Sequence, residues 1–451
     1  MKHPDWAVKF KTKNTELRLI RGRYYLYNIT SKWDPVKKRP KKITLGAVGT
    51  ITEEHGLIPV GMSRKGRVPE GALKIKDDPK FETSFMDTFE TLEDPRAQRN
   101  QLYSVFEILL VTFLAVICGA EGWQDIENYG KAKIQYLRRY CEFRNGIPSD
   151  DTFRRFFRSI NVEQFKEMFR LWVQSLARTV GAKVIAIDGK SSRRSYDGED
   201  KMLHMVSAYA SEARIVLGQE KVSEKSNEIT AIPKMLTWLD VKGHIVTIDA
   251  MGCQYKIADQ ILRQEGDYIF SLKGNQANLA KDVELYFADP AHSHELASYT
   301  EYDKGHGRLE TRHCLVSHDV KWLREMNPRW KSINSIIQIQ SRREFKKDKT
   351  TEETRYYVSS LKDSSPEQTL KAIRIHWGIE NSLHWILDMS FNEDYSRIRK
   401  ENAPQVMAII RHFALNLLQQ YKPKRQSIKG FRKICSWDDH SLDQLISKKS
   451  S

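Results

Sequence analysis

A chain of 451 residues with 40% hydrophobic and 29% charged residues is a folded protein rather than a disordered polyelectrolyte, and its length predicts two to four domains. The net charge of +16 points to a polyanionic partner, usually nucleic acid. Five cysteines, none at CxxC spacing, argue against a zinc ribbon or a disulfide framework, and the longest apolar run, residues 108–120, is too short to span a bilayer. The N-terminal stretch MKHPDWAVKFKTK lacks the apolar core of a signal peptide, so a cytoplasmic, nucleoid-associated protein without membrane contact is expected.

Residues 1–80 carry 19 Lys and Arg against 8 Asp and Glu. Within them, LRLIRGRYYLYNITSKWDPVKKRPKKITLG (17–46) predicts two strands around a basic loop. Basic residues interleaved with Tyr24, Tyr25 and Tyr27 suit a nucleic-acid surface, and a plain solvated hairpin is nearly as good a reading. A Gly-, Pro- and Lys-containing linker follows at 60–80.

From 83 to 178 the apolar spacing is helical. IPSDDTFRRFFRSI (147–160) places Ser149 at a helix N-cap, with Phe153, Phe156, Phe157 and Ile160 on the buried face. Arg154, Arg155 and Arg158 lie on the other faces, where solvent is the commoner neighbour and phosphate the alternative. Beyond 179, KVIAIDGK and HIVTIDAMGCQ are short apolar β-runs that end at Asp188 and Asp249. HMVSAYA, ARIVLGQEKV and DYIFSLKGNQ add strands and AIPKMLTWLD a helix, which predicts an α/β sheet core over 179–420. Glu224 and Asn227 in SEKSNEI either flank a site or cap a helix. A β-rich insertion is expected at about 277–364. In it His306, Arg308, Glu310 and Arg312 alternate as on a strand, lining a groove or forming cross-strand ion pairs. The last stretch, 421–451, reads as a basic, mobile tail.

The segment 365–397 opens with an N-terminal capping pattern, Ser365, Pro366 and Gln368. Leu370, Ile373, Trp377, Glu380, Leu383, His384, Leu387 and Phe391 then follow steps of three and four, which predicts one helix with Glu380 in its apolar stripe. A core-facing carboxylate is costly unless it is paired, by Arg374 or His384 for example, or holds a cation. Asp188 and Asp249 at strand ends and Glu380 on a packed helix can converge on one point. All-oxygen ligation there suits Mg²⁺ or Mn²⁺, and two ions about 3.5–4 Å apart would make the phosphoryl-transfer arrangement of nucleases and polymerases.

A series of motifs turns this into a resemblance: DPR (94–96), GWQDIENYG (122–130), IPSDDTFRRFF (147–157), IAIDGKSSRRS (185–195), VLGQEKVSEKSNEITAIPKML (216–236), VTIDAMGCQ, SLKGNQ, HGRLETR (306–312) and IHWGIENSLHWILDMSFNED. In this order they resemble the DDE transposases of bacterial insertion sequences, in the group of H-repeat-associated proteins, from about residue 85 to 420. The resemblance implies a ribonuclease-H-like catalytic core with the β-rich insertion between the second aspartate and the glutamate. It implies Asp188, Asp249 and Glu380 as the catalytic and metal-holding triad with two Mg²⁺. It also implies DNA as partner, both terminal inverted repeats and target, with a homodimer or larger assembly to pair two ends. Related transposases surround the glutamate with a Tyr, an Arg and a later Lys, whereas this sequence has Ile373, His376 and Leu387. That leaves His376, Asn381 and His384 as candidate DNA contacts, beside Lys190, Arg193, Lys273 and Asn275 next to the other motifs. Residues 1–80 look more like the N-terminal part of other insertion-sequence transposases. A host nuclease of the same fold and a transposase-derived DNA-binding protein without catalysis are the rival readings.

Overall fold

The computed structural model of the chain describes residues 3–20, 23–34, 39–52, 56–59, 88–89, 92–96, 101–177, 182–196, 202–222, 227–293, 296–305, 308–345 and 349–447. Part of the basic loop at 35–38, the linker at 60–80, Glu224 and His306 lie outside the described residues. The chain divides into two compact units, with the main division between Thr83 and Ser84.

In the first unit a single turn, α1 (Asp5–Val8), precedes four strands, β1 (Thr15–Ile20), β2 (Arg23–Asp34), β3 (Arg39–Thr52) and β4 (Gly56–Pro59). They pair antiparallel in sequence order, where the sequence predicted two strands: β3 runs on past Gly46, and its end pairs with β4. Register shifts at Leu26/Tyr27 and Asn28/Ile29 mark bulges between β2 and β3. Alternation along β2 buries Tyr24 and Leu26 with Leu17, Ile51 and Ala7, and leaves Tyr25 and Tyr27 half-buried. The Arg18 guanidinium lies 4.7 Å from the centre of the Tyr27 ring.

The second unit begins with helices α2 (Val105–Cys118), α3 (Trp123–Ala132), α4 (Ile134–Leu137), α5 (Asp150–Ser159) and α6 (Val162–Ala177). Ser104 and Glu107 form a reciprocal capping box at the start of α2, whose residues 108–117 are all buried. Ser149 caps α5 as expected, and Phe153, Phe156, Phe157 and Ile160 are buried. Arg154 pairs with Asp150 and Asp151, and Arg158 with Glu401. No single helix among the described residues is long and apolar enough to cross a membrane.

One mixed sheet of nine strands follows, formed by β5 (Val184–Ser191), β6 (His204–Ala210), β7 (Ile215–Lys221), β8 (Ile245–Ile248), β9 (Asp267–Leu272), β10 (Ala297–Gly305), β11 (Arg308–Ser317), β12 (Ser335–Phe345) and β13 (Lys349–Ser359). Their spatial order is β10-β11-β12-β13-β9-β8-β5-β6-β7. β5, β8 and β9 are parallel and all other neighbours antiparallel. The helices α7 (Glu228–Leu236) and α8 (Tyr255–Arg263) connect β7 to β8 and β8 to β9, since parallel pairs need a crossover. The four strands β10 to β13 extend the same sheet from β9, together with α9 (Ala277–Ala288) and α10 (Lys321–Met326).

The C-terminal helices cover this sheet. α11 (Pro366–His376) starts with Ser365, Pro366 and Gln368 in a capping box. It passes into a π-helical turn, Ile379–His384, and then into α12 (Trp385–Phe391). The expected continuous helix is therefore interrupted. Wider turns shift the register, so Ile379 is buried and Glu380 is exposed, not held in the apolar stripe. In α13 (Ala403–Tyr421), Phe413 stacks on Trp172 at 4.7 Å and meets Phe169 edge-on at 4.7 Å. Asn416 of α13 exchanges two hydrogen bonds with the Val216 backbone, 2.8 and 2.9 Å, and so satisfies the outer side of edge strand β7. The expected mobile tail is corrected too. α14 (Ile428–Trp437) and α15 (Asp439–Ser447) bury Phe431, Cys435, Leu442, Leu445 and Ile446. Buried Arg432 donates to the Val116 carbonyl at 2.6 Å, because apolar residues at helical spacing lie among the basic ones.

Candidate active site

Ile187 of β5 stands opposite Ile248 of the parallel β8. The next residues, Asp188 and Asp249, are therefore brought side by side: Asp249 follows the end of β8, and Asp188 stands where β5 loses its parallel partner and runs on to Ser191 paired with β6. Asp188 accepts a hydrogen bond from the N–H of Gly189, 2.9 Å, and Asp249 accepts from Met251 and Gly252, 3.1 and 3.3 Å. A third carboxylate, Glu228, enters at the first position of α7, whose N-cap is Asn227. Asp188, Glu228 and Asp249 each present an oxygen, and these oxygens lie within 4.8 Å of one another.

Charge in this cluster is poorly balanced. Burial pushes the Asp188 carboxyl up to about 7; the Gly189 N–H opposes the shift, and the charges of Asp249, Glu228 and Glu380 add to it. Burial raises Asp249 too, with Glu228 the strongest charge acting on it, and Lys273 pulls in the other direction. Carboxylates this close, with oxygen donors alone, suit a hard divalent cation such as Mg²⁺ or Mn²⁺. Glu380 stands exposed on the π-helical turn and is not one of the three acids within 4.8 Å of one another; its charge adds to the upward shift at Asp188.

Histidines pack around the cluster. His384 Nδ1 lies 3.7 Å from Asp188 Oδ2, while its buried Nε2 has no hydrogen-bond partner among the described residues. Burial lowers its pKa to about 3, helped by Lys190, His376 and His204, so the ring is neutral. His376 Nδ1 lies 3.0 Å from the Thr247 hydroxyl, and burial lowers its pKa to about 4. His204 Nε2 lies 2.8 Å from Glu228 Oε1, and its Nδ1 2.6 Å from the Ser191 hydroxyl.

The remaining residues singled out in the sequence divide into exposed and engaged groups. Lys273 is exposed beyond β9, and Asn275 donates to the Ala250 carbonyl. Arg193 has a side chain 81% exposed and touches Asp394 at 3.3 Å. Lys190 is 11% exposed and bonds Asp388 and Asp394 at 2.9 and 3.3 Å. Asn381 is exposed and donates to the Trp377 carbonyl. On β11, Glu310 pairs with Arg312 at 2.7 Å, with Arg343 across on β12 at 2.9 Å and with Arg308 at 3.4 Å. The cross-strand ion pair is thus present, and these residues also line a cavity of about 330 Å³ that reaches Trp377 and Asn381.

Sequence reasoning missed Glu228 and His204. An acid in the first turn of a helix is usually a dipole partner, so nothing in the local pattern marked Glu228. The stronger signal was the position of α7 between the two aspartate strands.

Residues 179–417 match the family described as Transposase DDE domain, and residues 86–173 match the one described as DDE_Tnp_1-associated. The "Putative transposase YncI" of Escherichia coli O157:H7 is 40% identical over 372 residues, 81% of this chain and 95% of that protein. The "H repeat-associated putative transposase YhhI" of Escherichia coli K12 is 39% identical over 371 residues, 80% and 97% of the two chains. The 62-residue match to the "Inactive transposase YbfQ" of the same strain, 45% identical, covers 14% of this chain. A catalytic-domain match over more than half the length, with relatives covered almost end to end, gives the conclusion that this chain belongs to the DDE transposase family.

Proposed function

We propose that the chain is a DNA transposase that binds the terminal inverted repeats of an insertion sequence, cleaves the DNA at their ends and joins the freed 3′-ends to target DNA. The observation that carries this reading is the side-by-side placement of Asp188 and Asp249, each following an isoleucine of the parallel pair Ile187 and Ile248, with the negative charge of Glu380 adding to the upward shift at Asp188. The strand order β7-β6-β5-β8-β9, with β6 alone antiparallel between β7 and β5, supports a ribonuclease-H-like core. Strands β10 to β13 then form the insertion between the second aspartate and the glutamate.

In this reading Asp188, Asp249 and Glu380 would hold two Mg²⁺ ions, with Mn²⁺ as a substitute, and the bound ions would supply Lewis-acid chemistry for phosphodiester cleavage and joining. Lys273, Arg193 and Asn381 are exposed around the cluster and offer contacts to phosphate. Lys190, Asn275, His376 and His384 are engaged within the protein, and their role is to hold the site's walls. The basic N-terminal region, residues 1–80, adds a second DNA-binding surface. Two copies of the chain, at least, bring two ends together in the cytoplasm.

The rival nuclease reading differs in one reaction. A pre-cut end with a free 3′-OH, mixed with plasmid and Mg²⁺, should be joined covalently to the plasmid by the parent protein. Cleavage of ends without any joined product would favour the nuclease, and end binding without either reaction would favour a transposase-derived DNA-binding protein.

A further inference from the structure

We propose that Glu228 is a fourth metal-holding carboxylate, which joins Asp188 and Asp249 around the divalent ion; the inference rests on the transposase reading above. An acidic residue in a helix's first turn has an ordinary alternative role, in which it faces solvent and favours the helix dipole. Glu228 does not fit that role alone. It is 6% exposed, and its carboxylate is turned to Asp188 and Asp249. A buried charge placed against two like charges raises the energy of the protein unless a cation is held there.

The surroundings keep Glu228 in that position. Its Oε1 faces His204 Nε2 at 2.8 Å. A carboxylate can only accept, so Nε2 carries the imidazole proton. Nδ1 lies 2.6 Å from the Ser191 hydroxyl, which donates to it when the ring is neutral and accepts from it when the ring is charged. This chain from Ser191 through His204 to Glu228 orients one oxygen and leaves the other for the ion, as outer hydrogen bonds do at metal sites. Room for it comes from Gly189. A Cβ there would collide with the Glu228 carboxylate and lie 2.6 Å from His204 Nε2. The residue after Asp188 has no side chain, and Glu228 occupies that space.

The test is Mn²⁺ binding by titration calorimetry, without DNA, on the parent, Glu228→Gln and Asp188→Asn proteins. Melting in EDTA accompanies it as a check on folding. The expected result is a loss of Mn²⁺ affinity of about 10-fold or more in Glu228→Gln, with a melting temperature in EDTA no lower than the parent's and unchanged binding of terminal DNA in EDTA. Parental Mn²⁺ affinity in Glu228→Gln beside a loss in Asp188→Asn would overturn this inference and leave the transposase reading intact. Parental affinity in both variants would overturn the metal reading and this inference together. If Glu228→Gln melts early, Glu228→Asp, which keeps the charge but withdraws it, serves instead: weakened Mn²⁺ binding supports the proposal and parental binding overturns it.

Discussion

The Lys190 ammonium lies 2.9 Å from an oxygen of Asp388, and so ties strand β5 to helix α12 two residues after Asp188. A second bond, 3.3 Å to Asp394, completes the arrangement. This lysine is spent inside the protein, which separates two readings of a basic residue beside a catalytic motif. Lys190→Ala would leave Asp388 without its cation and Asp394 with Arg193 alone, and should lower stability by about 2 kcal/mol, below the cost of a fully buried pair because Asp388 is partly exposed. Urea denaturation measures it. A stable Lys190→Ala protein with weakened DNA binding would instead assign the lysine to phosphate.

Gly189→Ala should separate folding from site geometry. The added methyl meets the ends of the Glu228 and His204 side chains, not backbone, so these groups move while the sheet stays intact. The expected outcome is a melting temperature close to the parent's with end cleavage reduced by about 10-fold or more, the range seen when groups that orient metal ligands are disturbed. Parental cleavage would show that neither side chain needs its present position.

Buried histidines set the acid limit of stability. His412 lies on α13, with Nδ1 3.1 Å from Gln219 Oε1, and burial lowers its pKa from 6.5 to about 3, assisted by the positive charges of Arg411 and Lys190. Between these values the unfolded chain binds a proton that the folded chain does not. The stabilisation is therefore complete above pH 6.5 and is lost as pH falls towards 3, at about 1.4 kcal/mol per pH unit. Denaturation at pH 7.5 and pH 5 should show His412→Gln with a shallower loss than the parent. Equal slopes would exclude His412 as a source of acid sensitivity.

The two aspartates of the candidate site were legible because each follows an unbroken apolar run, and IAIDG and VTIDA state that pattern directly. The capping signals at Ser149 and Ser365 were equally plain, since a cap depends on residues three apart. What failed were inferences that assumed uniform helical geometry or read charge as disorder. A period of 3.6 residues placed Glu380 among apolar neighbours, and the π-helical turn rotates it out to solvent. Twelve residues at 421–432 include five Lys or Arg, and this hid the apolar spacing of Phe431, Cys435 and Leu442 that packs the end of the chain. Glu228 was beyond local reasoning, because only the crossover from β7 to β8 brings it to Asp188 and Asp249.

Metal-dependent chemistry by these carboxylates on transposon ends is tested most directly by comparing the parent with Glu380→Gln on DNA carrying the element's own terminus, in Mg²⁺, in Mn²⁺ and in EDTA. Nicking at the end is expected from the parent in either metal, none in EDTA, and none from the variant although it still binds the end. Nicking by Glu380→Gln at the parental rate, or by the parent in EDTA, would contradict it.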